Sequence, residues 1–385
     1  MNILLLSFSY PPEIGPGSFR AQTIAKALTQ FGPSDLHIDV ITTYPLRYDP
    51  QKPIPQIEQH GNITIYRINA PFRKNNFIFQ VLTFFYFAFC TLFQVRHKKY
   101  DSIVTTSGRL ATAALASLIA KVKSAKLYVD IREIFPENIK GLFPGVRGQI
   151  MSQFFSIIES RVVQQANKVN LISPGFLDYY QSKFKQSFSC YMHAVDPLFI
   201  GQFQEATSAP NARLKVYYAG NLGYGQSLDQ ILPSLAKKTA NQLDFYIVGG
   251  GNRLELLRTA LQEQNITNVT LMNSMSREKL IRAYQNADIL FLHIHPYPFT
   301  LRVLPSKIFE YAATGKPIWA GVMGYARTFM EQEVSNCAIF TPDNVDDAIS
   351  AFHTLTLRTL PRTEFLQHHN QEKLMRMIAS DILSL

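Results

Sequence analysis

The chain contains 385 residues, of which 46% are hydrophobic and 17% are charged, and it carries a formal net charge of +10. This length exceeds the size at which one hydrophobic core usually keeps growing, so two domains are predicted. The composition excludes a disordered chain and a protein embedded wholly in a membrane. The positive charge permits nucleic acid, an anionic membrane face or phosphorylated substrates as partners, and it does not choose among them.

Cysteine usage and the opening residues bear on the cellular compartment. Cys90, Cys190 and Cys337 are odd in number and lack the spacing of metal ligands, which indicates a reducing compartment. The opening run MNILLLSFSYPPEIG lacks the basic region and the small-residue cleavage site of a signal peptide. We therefore expect a first β-strand there and a cytoplasmic protein.

The first half of the chain alternates short β-rich runs with helical stretches. The predicted strands are NILLLSF, HIDVITTY, NITIYRINA, DSIVTTS, KLYVDIR and KVNLISP. Helical patterns are predicted at 18–31, 77–95, 110–123 and 147–166. Alternation of this kind is typical of a parallel sheet that is covered by helices on both faces.

The helical stretch 77–95, FIFQVLTFFYFAFCTLFQV, approaches the length of about 20 apolar residues that a bilayer crossing needs. Two observations argue against a crossing: four polar residues interrupt the stretch, and YDSIVTTSG after it predicts a strand of the same sheet. The interrupting residues are Gln80, Thr83, Thr91 and Gln94. Two interpretations stay open, a buried core helix, or a helix at the membrane interface whose basic flanks, including Arg73 and Lys74, contact lipid headgroups.

The second half repeats the same alternation after a break in periodicity at 196–213. Its predicted strands are LKVYYAG, DFYIVGG, VTLMNSM, DILFLHI, PIWAGV and CAIFTP. We predict an α/β protein with two doubly wound Rossmann-like domains, 1–196 and 197–361, and a C-terminal helical stretch, 362–385, that packs back on the first domain. Because ligands of such sheets bind beyond the carboxyl ends of the strands, an interdomain cleft is expected.

The stretch LPSKIFEYAATGKP, 304–317, predicts a short helix with Ser306 as its cap and a stop at Gly315. On this helix Lys307 and Glu310 share one face. A cation in the first turn opposes the helix dipole, and lysine before glutamate is the weaker order for a helical ion pair. Besides a plain surface pair, the pattern therefore favours an external anion held by Lys307 and free N–H groups, with Glu310 accepting hydrogen bonds from sugar hydroxyls.

Two glycine-bearing turns support this second interpretation. YYAGNLGYGQSLDQIL and FYIVGGGNRLELL each read as strand, turn and helix, and their glycines allow backbone N–H groups to approach a pyrophosphate. Neither matches a P-loop, and GGGNRL only approximates a dinucleotide fingerprint. Together with Lys307 they predict three anion-binding turns in one domain, with a nucleotide diphosphate as the ligand.

Five segments, in this order, resemble the successive motifs of glycosyltransferase family 4, which has the GT-B fold. They are YPPEIGPGSFRAQTIAKAL, YVDIREIFPENI, YAGNLGYGQSLDQIL, IVGGG and LPSKIFEYAATGKPI. The resemblance covers residues 1 to about 350 and points to the bacterial branch that builds capsule, exopolysaccharide or O-antigen. It implies that the second domain binds a UDP- or GDP-sugar, that the first binds the acceptor, and that transfer retains the anomeric configuration without a metal or cofactor.

The resemblance also implies roles for individual residues. Glu310 is expected to bind the ribose, Gly220–Gly223 to lie beneath the diphosphate, the turn 272–275 to frame the base, and Pro305–Lys307 to approach the donor phosphates and sugar. The complete donor-binding prediction is Gly15, Gly17, Gly220, Asn221, Gly223, Gly249, Gly250, Arg253, Asn273, Ser274, Met275, Leu304, Pro305, Ser306 and Glu310.

Two departures from the family pattern concern charge. Arg302 stands where many relatives have a glutamate, eight positions before Glu310, and the segment GNLGYGQS lacks the arginine and lysine that many relatives use against the diphosphate. We expect Arg302 and Lys307, with Arg253, to supply that positive charge instead. The departure leaves open an inactive relative.

In the first domain, polar residues follow two of the predicted strands. The loop 9–20 follows the first strand and shapes a helix start, with Ser18 as the expected cap and Arg20 in the first turn; the resemblance places this loop at the catalytic groups. In VDIREIFPE, Asp130 is the first choice and Glu133 the second for a carboxylate that orients or deprotonates the acceptor hydroxyl. The catalytic prediction is Asp130, Glu133, Lys307 and Arg302.

The predicted partners are a nucleotide sugar, a lipid-linked or oligosaccharide acceptor and an anionic membrane surface at the inner face of the cytoplasmic membrane. Nucleic acid is not expected, because the basic residues are scattered and form no stripe interleaved with aromatic residues. Two rival functions stay open: a sugar-nucleotide epimerase on the same architecture, which needs no acceptor, and a non-enzymatic lipid-binding protein.

Overall fold

The computed structural model of the protein describes residues 1–45, 54–71, 77–143, 145–204 and 213–385, with the backbone alone for residues 77 and 78. The chain divides into two compact units, the first formed by Met1–Met192 with Glu372–Leu385 and the second by His193–Gln371. The division thus falls at residues 192–193, four residues before the predicted one. Part of the predicted join, 205–212, lies outside the described residues.

A seven-stranded sheet forms the centre of the first unit. Its strands are β1 (Asn2–Leu6), β2 (His37–Thr43), β3 (Ile57–His60), β4 (Ile63–Ile68), β5 (Ser102–Ser107), β6 (Lys126–Ile131) and β7 (Lys168–Leu171). The spatial order is β3-β4-β2-β1-β5-β6-β7. All pairings are parallel except that of β3 with β4, so six carboxyl ends share one edge. The edge strand β3 is polar, and the sequence analysis missed it.

Helices cover both faces of this sheet. They are α1 (Pro16–Phe31), α2 (Phe77–Val95), α3 (Leu110–Lys123), α4 (Phe135–Leu142), α5 (Val146–Gln165), α6 (Leu177–Gln181) and, from the C-terminus, α14 (Gln371–Leu383). The apolar sides of α1 and α14 pack with β1, β2 and β4 in one core. The helices α2, α3 and α5 contact one another in sequence order. The predicted return of the C-terminal helix to the first unit therefore applies to Glu372–Leu385, whereas 362–371 pack with the second unit.

One side of the helix α2 exposes large apolar residues. Phe85, Phe89 and Phe93 are 66%, 69% and 58% exposed, whereas Thr83 and Thr91 are buried. The buried-core interpretation of this stretch is therefore wrong for its outer face. Among the described residues, no helix combines the length and the apolar character that a membrane crossing requires. The flanking Arg73 and Lys74 lie outside the described residues.

A six-stranded parallel sheet forms the centre of the second unit. Its strands are β8 (Leu214–Asn221), β9 (Leu243–Gly250), β10 (Val269–Met272), β11 (Ile289–His293), β12 (Ile318–Gly321) and β13 (Cys337–Phe340), in the spatial order β10-β9-β8-β11-β12-β13. The helices are α7 (Leu228–Lys238), α8 (Leu254–Glu263), α9 (Arg277–Gln285), α10 (Ser306–Ala313), α11 (Gly324–Glu333), α12 (Val345–Phe352) and α13 (Thr363–His368). Trp319, fully buried, lies in the core between this sheet and its helices.

Candidate functional site

The turns predicted to bind the donor lie together at one edge of the second sheet. Strands β10, β9, β8 and β11 are adjacent and parallel, so the residues that follow them meet at the carboxyl edge. Asn273 and Ser274 follow β10 and are exposed there, and Met275 is half-buried. Such edges of parallel sheets are where ligands of α/β proteins bind.

The glycines of two turns are required by the packing of the turns on each other. Gly220 and Asn221 end β8 in register with Gly249 and Gly250 of β9. A Cβ on Gly249 would lie 1.9 Å from the Gly220 carbonyl oxygen, and the φ of Gly249, +146°, also disfavours a side chain. A Cβ on Gly223 would lie 2.2 Å from Asn221 Nδ2. These close contacts form a compact double turn of backbone at the sheet edge.

Two histidines at the end of β11 hold the first glycine turn. His293 is fully buried, and its Nδ1 lies 2.6 Å from the Gln226 carbonyl oxygen, to which it donates. Its Nε2 then accepts the N–H of Asp343 at 3.3 Å. The backbone N–H of His295 donates to the Gly225 carbonyl oxygen at 2.9 Å. Burial lowers the pKa of His293, so the neutral ring acts as a support for the turn.

The helix α10 begins at Ser306, with Pro305 in the N-cap position and no side chain capping its first N–H groups. Ser306 is therefore the first residue of the helix, and its predicted capping role is wrong. Leu304, immediately before, is buried and anchors the turn. A proline and an uncapped first turn leave backbone donors available to a negatively charged group.

Lys307, Glu310 and Tyr284 form a hydrogen-bonded cluster on α10 and α9. Lys307 Nζ lies 2.5 Å from Glu310 Oε1 and 3.2 Å from the Tyr284 hydroxyl, and this hydroxyl donates to the same Glu310 oxygen at 2.6 Å. The Lys307 and Glu310 side chains are 24% and 21% exposed. Both hydrogen bonds described for Glu310 end on Oε1. The pair is thus a local ion pair and also a partly open site.

The tyrosines behind this cluster were not among the predicted site residues. Tyr284 is fully buried, and burial raises its pKa well above the ordinary range, so the phenol keeps its proton and donates it. Tyr311, packed edge-on against Tyr284, accepts the Ala219 N–H at 3.0 Å and so links α10 to β8. The sequence offered one signal for Tyr284. The periodicity of LIRAYQNADI places this residue on the buried face of the helix, and a buried phenol needs a hydrogen-bond partner.

The other predicted cations have different positions. Arg253 forms a two-pronged ion pair with Asp229, in which Nε lies 2.7 Å from Oδ1 and the second contact joins Nη2 to Oδ2. Its predicted role at the diphosphate would require the ion pair with Asp229 to open, and that role stays a prediction. Arg302 lies half-buried in the turn before α10.

In the first unit, α1 begins at Pro16 with Gly15 as its N-cap and without a side-chain cap, so the predicted capping role of Ser18 is wrong. Arg20, in the first turns of α1, binds Asp130 of β6 through Nε and Nη2, at 2.7 Å for the shortest contact. Asn170 Nδ2 donates to the same carboxylate at 2.7 Å. Asp130 is completely buried.

This environment argues against Asp130 as the base that the sequence analysis preferred. Burial by itself would raise the pKa of Asp130, but the charge and hydrogen bonds of Arg20 and the hydrogen bond of Asn170 outweigh it and hold the pKa below its usual range. A carboxylate with a lowered pKa and no exposed surface is a poor proton acceptor. Its position indicates a structural role between α1, β6 and β7.

Glu133, the second choice for the carboxylate, has the exposed surface and the raised pKa that Asp130 lacks. Its side chain keeps an exposed surface beyond the end of β6, and Asn138 Nδ2 donates to Oε2 at 3.0 Å. Desolvation of the carboxylate by the surrounding protein raises the pKa of Glu133 above its ordinary value. The charge of Arg132 and the hydrogen bond of Asn138 act in the opposite direction and are outweighed. A raised pKa moves a carboxyl group towards the range that general acid and base chemistry needs.

Comparison with known proteins assigns the second unit. Residues 200–372 match the family described as Glycosyl transferases group 1, and this range contains the double glycine turn and the cluster of Lys307, Glu310 and Tyr284. Residues 200–372 belong to the group 1 glycosyltransferases. The group 1 domain thus supplies all of the predicted donor-binding residues except Gly15 and Gly17.

Over 82% of its length the chain is similar to WcaI of Escherichia coli K12, which is named as a colanic acid biosynthesis glycosyl transferase, with 22% identity over 340 residues and 82% of WcaI covered. Among solved structures, HepE of Anabaena with UDP and glucose has a TM-score of 0.71, 14% identity, and 99% coverage of both chains. WaaG, a glycosyltransferase involved in lipopolysaccharide biosynthesis, has a TM-score of 0.64, 11% identity, and 98% and 95% coverage. The α/β prediction of two Rossmann-like sheets in a GT-B fold is confirmed.

Proposed function

We propose that this protein is a retaining, metal-independent glycosyltransferase that moves a sugar from a UDP-sugar to a glycan on a polyprenyl diphosphate, in the synthesis of a bacterial surface polysaccharide. The observation that carries the proposal is the partly open cluster of Lys307, Glu310 and Tyr284 beside the uncapped start of α10. WcaI is named for colanic acid biosynthesis and WaaG for lipopolysaccharide biosynthesis, and HepE is described with UDP and with UDP-glucose, which supports the substrate classes.

The donor binds through the cluster in two parts. Glu310 accepts hydrogen bonds from the ribose hydroxyls, because Tyr284 holds Oε1 while Oε2 remains available. Lys307, the first N–H groups of α10 and Arg302 bind the diphosphate. In this proposal Lys307 exchanges one anion, Glu310, for another, the phosphate, and the ribose replaces the hydrogen bond that Glu310 loses.

The reaction then depends on charge. As the bond from the anomeric carbon to the diphosphate breaks, negative charge grows on the leaving oxygen, and the preorganised donors stabilise it. The acceptor hydroxyl attacks from the face that the diphosphate leaves, and a diphosphate oxygen takes its proton. Glu133 orients the acceptor hydroxyl.

Isothermal titration of UDP tests the donor site with a matched pair of variants. The exposed ion pair of Arg327 and Glu331 on α11 has the same charges on a helix of the same unit, at 2.8 Å. We expect Glu310→Ala and Lys307→Ala each to weaken UDP binding at least about tenfold, and Glu331→Ala to leave it unchanged. Unchanged UDP binding by both α10 variants would refute the assignment.

Activity assays separate the proposed transfer from its rival. Incubation of the wild-type protein with a UDP-sugar in the absence of acceptor, followed by NMR, is expected to leave the donor unchanged. Isomerisation of the sugar under these conditions would instead identify an epimerase. A thermal-shift panel of UDP-, GDP- and dTDP-sugars identifies the donor, because the true ligand raises the melting temperature by mass action.

Membrane association is proposed through the outer face of α2. The helix contains no charged residue, it exposes Phe85, Phe89 and Phe93, and the exposed Arg96 and Lys99 follow it directly. Such an apolar stripe with basic residues at its end fits a bilayer interface that contains anionic lipid.

Vesicle binding tests this face. We expect the triple change of Phe85, Phe89 and Phe93 to Ser to lower binding to phosphatidylglycerol vesicles at least about tenfold, because each Phe contributes buried apolar area. The control is Leu256→Ser, which replaces a residue that is 54% exposed on α8. Equal binding by the triple variant and the control would exclude α2 as the contact.

A further inference from the structure

One guanidinium at the carboxyl edge of the first sheet belongs to none of the ion pairs in the described part of the chain. Arg132 follows β6 directly and is half-buried. Its Nε is enclosed by protein and, among the described residues, has no hydrogen-bond partner. The nearby carboxylates of Asp130 and Glu133 act on it at longer range and form no ion pair with it in the described part of the chain. A buried donor without a partner requires an explanation, and a bound ligand would supply one here.

Small residues and hydroxyl groups lie at the edge of the sheet where Arg132 is found. Its Nη1 would lie 2.7 Å from a Cβ on Gly17 and 3.6 Å from one on Gly108, so glycines in the first turn of α1 and in the turn after β5 line the guanidinium. The Ser18 hydroxyl, which is fully buried, and the Thr106 hydroxyl, on the strand beside β6, also lack partners among the described residues. The three unused polar groups thus belong to α1, β5 and the end of β6, which meet at one edge.

The charge of the site selects an anion. Burial lowers the pKa of Arg132 and outweighs the nearby charges of Asp130 and Glu133, and in the described part of the chain no carboxylate contacts this guanidinium as Asp130 contacts Arg20. A guanidinium offers paired donors whose spacing fits phosphate oxygens. Hydroxyl groups and small residues beside it fit the remaining oxygens of such a group.

We propose that Arg132, with the first turn of α1 at Gly17, binds a phosphate group of the acceptor. This inference rests on the proposed function, which supplies a diphosphate-linked acceptor, and it assigns that diphosphate to the first unit. Arg132 would then be a binding residue for the acceptor's diphosphate, beside Glu133, which orients the hydroxyl at the other end of the acceptor.

Titration calorimetry with the full-length protein tests the site with three probes: inorganic pyrophosphate, farnesyl diphosphate as a short lipid diphosphate, and UDP. Arg132→Gln is expected to weaken pyrophosphate and farnesyl diphosphate at least about tenfold and to leave UDP within about twofold. The control is Arg161→Gln, which removes the same charge from an exposed position on α5 of the same unit and should change none of the three.

Two further variants guard against loss of folding. Arg132→Lys keeps the charge without the paired donors and should give an intermediate loss. Gly17→Ala should displace the guanidinium, since the new Cβ would meet Nη1 at 2.7 Å, and should weaken pyrophosphate without changing the melting temperature by more than a few degrees.

The outcomes separate the sources of the phosphate. If Arg132→Gln loses UDP affinity and binds farnesyl diphosphate as the wild type does, Arg132 lies at an anion site that binds the donor and not the acceptor. Wild-type protein that binds no pyrophosphate, or Arg132→Gln that binds all three probes as Arg161→Gln does, would overturn the proposal. Arg132-dependent pyrophosphate binding by a protein that fails to bind UDP would leave the site standing and refute the proposed transferase.

Discussion

Two carboxylate–cation pairs, one in each unit, lie beside the carboxyl edge of a parallel sheet and differ in exposure. Asp130 and Arg20 are 0% and 3% exposed at the side chain, and Asn170 donates a further hydrogen bond to Asp130. Glu310 and Lys307 are 21% and 24% exposed, and the buried Tyr284 holds one oxygen of the carboxylate. The first pair has no surface for a ligand, whereas the second has.

The difference shows what a paired carboxylate does in each place. When both charges are buried and all donors are used, removing either one leaves an uncompensated charge in the interior, so the pair serves the fold. When the pair is partly exposed, its contribution to stability is small, and its geometry can serve a ligand instead. The same residue types therefore lead to a support in one unit and a candidate site in the other.

The largest expected effect concerns stability of the buried pair. We expect Asp130→Asn to lower the free energy of unfolding by about 3–5 kcal/mol, because Arg20 would keep its charge without compensation. Urea unfolding followed by circular dichroism measures the change. Glu310→Gln in the same experiment should lose less than about 1 kcal/mol, and equal losses would remove the contrast between the two pairs.

A smaller effect is expected in acid. The pKa of Asp130 is lowered in the folded protein, so the unfolded chain binds its proton first as the pH falls. The stability that the carboxylate contributes is therefore complete above the ordinary aspartate pKa of about 3.9 and is lost as the pH falls below it. Urea midpoints between pH 7 and pH 3 should show the gap between wild type and Asp130→Asn narrowing below about pH 4. A constant gap would contradict this linkage.

Removing the Tyr284 hydroxyl, which holds Glu310 in the partly exposed pair, should have a smaller effect, on the affinity for UDP. Tyr284→Phe removes one hydrogen bond to Glu310, worth about 1 kcal/mol, and should weaken UDP about fivefold. Because the hydrogen bond positions the carboxylate for the ribose, the variant should also reduce the preference for UDP over its 3′-deoxy analogue. A purely structural role would lower the melting temperature and leave that preference unchanged.

Much of the architecture could be read from the sequence, because local patterns carry it. The bounds of α2 and α3 coincide with the predicted 77–95 and 110–123. The six strands predicted for the second half are present, and so is the helix of LPSKIFEYAATGKP. Periodicity and stop signals act over a few residues, so a single sequence reveals them. The polar edge strand β3 has no such apolar pattern and was missed.

The sequence by itself thus determined the order of strands and helices, the two-sheet class and the glycine-bearing turns. Only the tertiary structure decided which charged residues form ion pairs with each other. Arg253 pairs with Asp229, 24 positions away, and Arg20 pairs with Asp130, 110 positions away. The tertiary structure also decided that Phe85, Phe89 and Phe93 of α2 face outward, whereas Phe87 is buried. Exposure and pairing depend on which strands become neighbours and in what register, and that arrangement joins residues whose separation along the chain carries no local signal.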